Sequence, residues 1–393
     1  MTPRRRFVET LTFGDPDRVF LSFGWPRKAT LDAWYRQGLP RMPDAGDYGC
    51  PAEFMQLVGA DPGPAGLPID LGIRPAFEER TIEENDRGRT WVDCNGIVML
   101  DAGSRLETPG FRTRTYVSHP VRSRGDWLEM RRRFDPATPG RYPADWPEQA
   151  ARLRDRDYPV MVAVNSLFWK ARDWVGFESL CTMFYDDPAL VHEMMEHVTE
   201  FTMGVLDRAL RDVEVDAVML NEDMAYKHAS MISPAMFREF MLPRYRRLIR
   251  FLRDRGVPAV IVDCDGHIGQ LMPLWIEAGA DATFPIEIAA LNDPIDYRRR
   301  YGRALAFWGC IDKREIRNRE RTFIEVMKKV PWLMAQGGLL PSVDHAVPPD
   351  VPLRSYLYLC ELVRALAEGR PVPPPDATLE IDEKLLPARP AEA

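Results

Sequence analysis

The chain has 393 residues, 45% of them hydrophobic and 28% charged, and a formal net charge of -7. This length suits one large α/β barrel with additions or two ordinary domains, and the composition is that of a globular protein. The acidic balance argues against a nucleic-acid footprint, the lack of any run of about 18 apolar residues argues against a membrane helix, and six scattered cysteines with no CxxC argue against disulfides.

The first residues, "MTPRRRFVETLTFGDP", carry positive charge but neither the apolar core nor the small-residue cleavage site of a signal peptide, so a cytoplasmic location is expected. "RVFLSFG" (Arg18 to Gly24) reads as a strand. "FEERTIEENDRGRTWVDCNGIVML" alternates and has turn signals at Asp86 to Gly88 and at Asn95-Gly96, which predicts an antiparallel β meander inserted at about 77–118. Its last part, "GIVMLDA" (Gly96 to Ala102), is also a candidate barrel strand. The arginine runs at Met130 to Phe134 and in "RYRRLIRFLRDR" sit at helical spacing and read as solvated helix faces.

From Tyr158 onward short apolar runs end in polar residues and are followed by amphipathic stretches: "PVMVAVN", "DAVMLNED", "AVIVDCD", "DATFPIE", "ALAFWGCID" and "GLLPSVDH". Strands covered on both faces look like this. Between them, "SPAMFREFMLPRYRRLIRFLRDRG" and "HIGQLMPLWIEAGA" repeat apolar residues every three or four positions and close at Gly256 and Gly279. The expected fold is a single (β/α)8 TIM-type barrel with an elaborated N-terminal third. "DPATPGRYPADWPEQ" reads as a surface crossing and residues 369–393 as a loosely held tail.

Reacting groups of such barrels gather where the strands end. The strand ends here offer Asn165, then Asn221, Glu222 and Asp223, then Asp263 and Asp265, then Glu287, then Cys310 and Asp312, then Asp344 and His345. Ionised carboxylates away from water cost several kcal/mol unless paired or metal-bound, so acids at these positions point to function. Alternation puts Asp263 and Asp265 on one side and Cys264 on the other, as a small apolar filler. His345 finishes a strand beside an acid, whereas His119, His192 and His197 fall in loop or helix patterns and read as structural, and His267 as a helix-start or surface residue. Asp263, Asp265 and His345 can hold a divalent ion such as zinc with an open position, or act without metal in proton transfer. No GxGxxG after a strand, Walker loop, GxSxG or HExxH occurs.

Four stretches, "VMLNEDMAYKHASMISPAMFREFMLPRYRRLI", "VIVDCDGHIGQLMPLWIEAGADATFPIE", "LAFWGCIDK" and "PSVDHAVPPDVPLRSYLYL", together resemble the uroporphyrinogen decarboxylase superfamily, which includes corrinoid-linked methyltransferases. "FGWPRKATLDAWYRQGLP" is similar to its divergent branch. The resemblance implies a TIM-type barrel with its cleft at the strand C-termini. In the decarboxylases an RQAGR-type segment grips substrate carboxylates; here only Arg27 is loosely similar, no FSDI segment occurs, and His345 falls on the histidine of their NxGHG motif. The methyltransferases hold zinc with a His-x-Cys pair and a later cysteine, positions filled here by Asp263, Asp265 and His345.

The expected function is therefore methyl transfer between a corrinoid protein and a small substrate. Asp263, Asp265 and His345 bind metal or substrate in this reading, Glu222 orients or deprotonates, and Trp25, Arg27, Asn165, Asn221, Tyr226 and Asp312 contact the substrate. Decarboxylation of a tetrapyrrole or smaller acid is the second expectation, and a non-catalytic tetrapyrrole- or corrinoid-binding barrel the third.

Overall fold

Strands rich in Val, Ile and Phe with no polar face must be covered on both sides, and helices do so here. A computed structural model describes residues 1–43, 45, 50–86, 88–102 and 114–381. Four strands, β1 (Arg80–Asn85), β2 (Gly88–Val92), β3 (Val98–Ala102) and β4 (Arg114–Ser118), form an antiparallel sheet in chain order. The other six are β5 (Met161–Asn165), β6 (Ala217–Asn221), β7 (Ala259–Asp263), β8 (Ala282–Ile286), β9 (Ala306–Ile311) and β10 (Leu339–Val343). They form a parallel sheet in the order β10-β9-β8-β7-β6-β5, with helices between successive strands.

Two extended segments extend this sheet toward the eightfold ring. Phe23 bridges Ser342 of β10 in parallel, and Ala65 bridges Val160 beside β5. The two segments meet each other where the Asp61 amide donates to the Leu21 carbonyl (3.0 Å) and the Leu21 amide donates to Asp61 Oδ2 (2.8 Å). Arg6 and Arg18 close on the same buried carboxylate at 2.8 and 2.6 Å. The TIM-type barrel thus has six regular strands and two irregular staves. "RVFLSFG" takes the stave beside β10, as expected. "GIVMLDA" does not enter the barrel: it is β3 of the meander, and the stave beside β5 comes from "DPGPAGLP", whose prolines and glycines give no strand signal because proline cannot donate to a ladder.

Inside the ring, Ala217, Met219, Ala259, Ile261, Ala282, Phe284, Ala306, Trp308 and Leu340 form a lumen cluster, while Val218, Leu220, Val260 and Val262 belong to the core under the helices. Helix Pro3–Leu11 closes the N-terminal end, capped by Thr2 and started by Pro3, with Phe7 and Leu11 buried. The Phe7 ring stands 5.1 Å from Phe20 and 6.0 Å from Trp308. The tail is not loose at its start: Leu379 is buried, Arg319 donates to the Ala377 carbonyl (2.7 Å) and Tyr358 to the Pro373 carbonyl (2.8 Å). Residues 382–393 lie outside the described part. No described helix is long and apolar enough to cross a membrane.

Phe7→Ala opens the barrel floor and is expected to cost about 3–5 kcal/mol, read as an earlier midpoint in denaturant with the far-ultraviolet dichroism of the native state unchanged.

Candidate active site at the strand C-termini

In β5, β6 and β7 the lumen face continues the period-two pattern to the last residue. Asn165 of β5, Asn221 of β6 and Asp263 of β7 are register partners in one row across three strands. Asn221 Nδ2 donates to Asn165 Oδ1 (3.2 Å), and Asn221 Oδ1 is buried without a partner. Burial first, then the charges of Asp265 and Asp223, push the Asp263 carboxyl well above its ordinary range. The acid that ends the row is thus biased toward its protonated form.

One step further out, Asp265 faces the mouth with a side chain 44% exposed, and His345 Nε2 lies 3.5 Å from its Oδ1. Burial alone would raise this carboxyl; the His345 hydrogen bond and charge, with the charges of Lys313 and Arg27, outweigh it and hold Asp265 below the usual carboxylate value. Adjacent acids are thus shifted in opposite directions, the pattern of acid–base sites. Asp223, at a strained left-handed φ of 42°, is the third carboxyl of the group. Burial and then Asp265 raise it, and its Oδ1 lies 3.5 Å from the Asp265 amide.

Trp25 walls this mouth, its ring 5.9 Å from His345 and 5.8 Å from Phe284. A cleft of about 420 Å³ opens beside it, lined by Tyr226, Lys227, Asp265, Gly266, Glu287 and Arg314 among others. Glu287 accepts from the Gly266 amide (2.9 Å) and from Lys313 Nζ (3.1 Å), so Lys313 bridges β8 and β9 ends while Asp344 takes the Ile288 and Lys313 amides. Gly266 has φ 88°, and a Cβ there would stand 2.8 Å from the Ala225 carbonyl carbon, so the loops after β6 and β7 touch backbone to backbone.

Of the expected site residues Tyr226 and Asp265 line this cleft, His345 stands beside Asp265 with Trp25 next to it, Asn165 lines a separate cavity, and Glu222 and Asp312 are spent on capping. Glu222 is fully buried and accepts from the amides of Leu167, Phe168 and Trp169 (3.2, 2.8 and 3.3 Å) and from the Tyr245 hydroxyl (2.6 Å). It satisfies the orphan donors of helix Leu167–Val175, because its place next to inward-facing Asn221 makes it outward-facing. Asp312 likewise caps the short turn Lys313–Glu315 and pairs with Arg314 at 2.7 Å. Cys264 is a buried filler, its sulfur 3.4 Å from the Met224 amide, and His267 Nδ1 lies 3.0 Å from the Ala290 carbonyl. Asp223 and Glu287, which the sequence offers as strand-end acids without a role, join this group, and so does Lys313. The first two end strands and were legible as acids, whereas the reach of Lys313 to Glu287 needs the fold.

Residues 98–366 match the family described as uroporphyrinogen decarboxylase (URO-D), which is more than half of the chain. The chain belongs to the uroporphyrinogen decarboxylase family. A uroporphyrinogen decarboxylase of Nocardia farcinica is 31% identical over 191 residues, covering 47% of this chain and 51% of that protein. One from Thermus thermophilus is 26% identical over 194 residues with the same shares, so the chain spans about half the length of the curated relatives it matches. Among solved structures, a methyltransferase from Methanosarcina mazei superposes with a TM-score of 0.59 at 15% identity, covering 94% of this chain and 99% of that one. That likeness is one of fold.

Among the described residues no three His, Cys, Asp or Glu side chains are grouped to hold a metal ion.

A carboxyl with a raised folded pKa opposes folding once pH exceeds its unfolded value, so Asp263→Asn is expected to raise the melting temperature more at pH 8 than at pH 4. In His345→Ala, Asp265 loses the partner that lowers it, and its carboxyl resonance is expected to titrate at higher pH than in the parent chain.

Proposed function

We propose that this chain is an acid–base enzyme of its family, a decarboxylase acting on a carboxylic acid smaller than a tetrapyrrole. The observation that carries this reading is the Asp265–His345 pair at 3.5 Å on the wall of the mouth, with the buried Asp263 behind it. In the step, the bond from the substrate carbon to its carboxylate breaks, carbon dioxide leaves, and the electron pair left on carbon takes a proton. His345 supplies that proton, and Asp265, 3.5 Å from its Nε2, holds the imidazole in place. Arg27 and Lys313, whose charges act on Asp265, are suited to orient a further acidic or polar group of the substrate. A cleft of about 420 Å³ suits a small acid, near the low end of ligand pockets of roughly 300–1,000 Å³.

Corrinoid-linked methyl transfer is the second reading, favoured by the positions that Asp263, Asp265 and His345 occupy relative to the zinc-binding pattern. It needs an activated acceptor, and the donor set here lacks the three grouped ligands that would hold its metal. The corrinoid protein enters only as the partner of this reading.

The deciding assay is carbon dioxide release from uroporphyrinogen and a panel of aryl- and heteroaryl-acetic acids, with methylcobalamin spectra in parallel. Turnover of a small acid is expected, unaffected by chelator and lowered roughly 10²–10⁴-fold in Asp265→Ala and His345→Ala. Demethylation of methylcobalamin that disappears in Asp265→Ala would replace the decarboxylase reading with methyl transfer; binding of corrinoid or porphyrinogen without turnover would leave the barrel a carrier.

A further inference from the structure

Lys170 takes no part in the chemistry above, and its surroundings do not explain a lysine. It stands on helix Leu167–Val175 and is only 9% exposed. Among the described residues its ammonium has no hydrogen bond or ion pair; the nearest feature is the face of Phe134, 5.0 Å from the nitrogen. A largely buried amine with no direct hydrogen-bond or ion-pair partner is costly, and a hydrocarbon side chain would serve packing better. Burial lowers the amine below its ordinary value, against Asp173 of its own helix and Asp70, while Arg141 lowers it further and the Cys94 thiol pulls the other way.

Two spaces meet at this side chain. One is an open cavity of about 390 Å³ between the lumen face of β5 (Met161, Ala163, Asn165) and Leu67, Ile69 and Leu71. The other is an enclosed void of about 10 Å³, on the order of one water molecule. His197 lines that void, and its buried Nε2 has no hydrogen-bond partner. Burial and then Arg131 keep the imidazole below its ordinary value, which favours the neutral ring.

We propose that Lys170 is a reactive amine that captures a small aldehyde or ketone in the β5 cavity as an imine. A desolvated lysine in an apolar pocket is nucleophilic near neutral pH. The amine nitrogen attacks the carbonyl carbon, an N–C bond forms, and the carbonyl oxygen leaves as water carrying the two amine protons; nothing is oxidised or reduced. Asn165 spends its Oδ1 on Asn221, which leaves its amide to donate to the carbonyl oxygen. Through one water, His197 takes the proton that the ammonium must lose first. Leu67, Ile69, Leu71 and Met161 line the cavity together with Asn165, a mixed wall with room for a short carbonyl compound. The Asp265–His345 cleft is not involved, so this inference stands or falls separately from the decarboxylase reading.

The test uses the full chain with butanal and cyanoborohydride at pH 7, followed by peptide mapping. Lys170 is expected to be alkylated at least tenfold faster than any exposed lysine, and His197→Phe is expected to slow that labelling while surface labelling stays the same. Labelling spread over exposed lysines with Lys170 spared would overturn the proposal. The mapping needs only the unmodified chain, so a Lys170→Met variant that failed to fold would not obscure the answer.

Discussion

Two-residue alternation along the parallel strands governs both the barrel and its chemistry. A strand enclosed by a lumen on one side and helices on the other commits each side chain to one of them. Ala217, Met219 and Asn221 look inward, so Glu222 must look outward, where three helical amides and a tyrosine hydroxyl receive it. Asp263 follows Ala259 and Ile261 into the lumen, and Asp265 follows Asp263 to the mouth. Shifting one of these strands by a single residue would exchange the acid that binds a helix for the acid that meets a ligand.

Environment then separates carboxyls of the same kind. Asp263 and Asp265 are two residues apart, yet the first lies behind the mouth among other acids and is pushed up, while the second gains His345, Lys313 and Arg27 as neighbours and is pulled down. The proton inventory of the mouth is therefore set by which neighbours the strand ends bring, and the asparagine row from β5 to β6 continues that polar line toward Lys170 without adding charge.

Much of this was legible in the chain. The six apolar runs after Tyr158, the glycines at the ends of two helices and the row of strand-end acids gave the parallel barrel and the pair Asp265 and His345. Two things were hidden for physical reasons. The stave around Ala65 is built from Pro and Gly and held by a few bonds, from Asp61 to Leu21 and from Ala65 to the backbone of Pro159 and Met161, so it has no periodicity to read. Glu222 sat in the same acidic cluster as Asp223, and only strict parity, applied to Asn221, would have sent it to the helix layer. Lys313 shows the opposite limit: it neighbours Asp312 in sequence but spends its charge on Glu287, because the turn that Asp312 caps points it across the mouth.

The backbone contact at Gly266 has a mechanical meaning. With no room for even one carbon between the turn that carries Tyr226 and the turn that carries Asp265, neither can swing independently. A molecule that pushes the phenol aside must carry the carboxylate with it. Occupancy of the cleft and alignment of the proton pair would then be a single event, and a bulkier side chain at this glycine would uncouple them even if every reacting group were left in place.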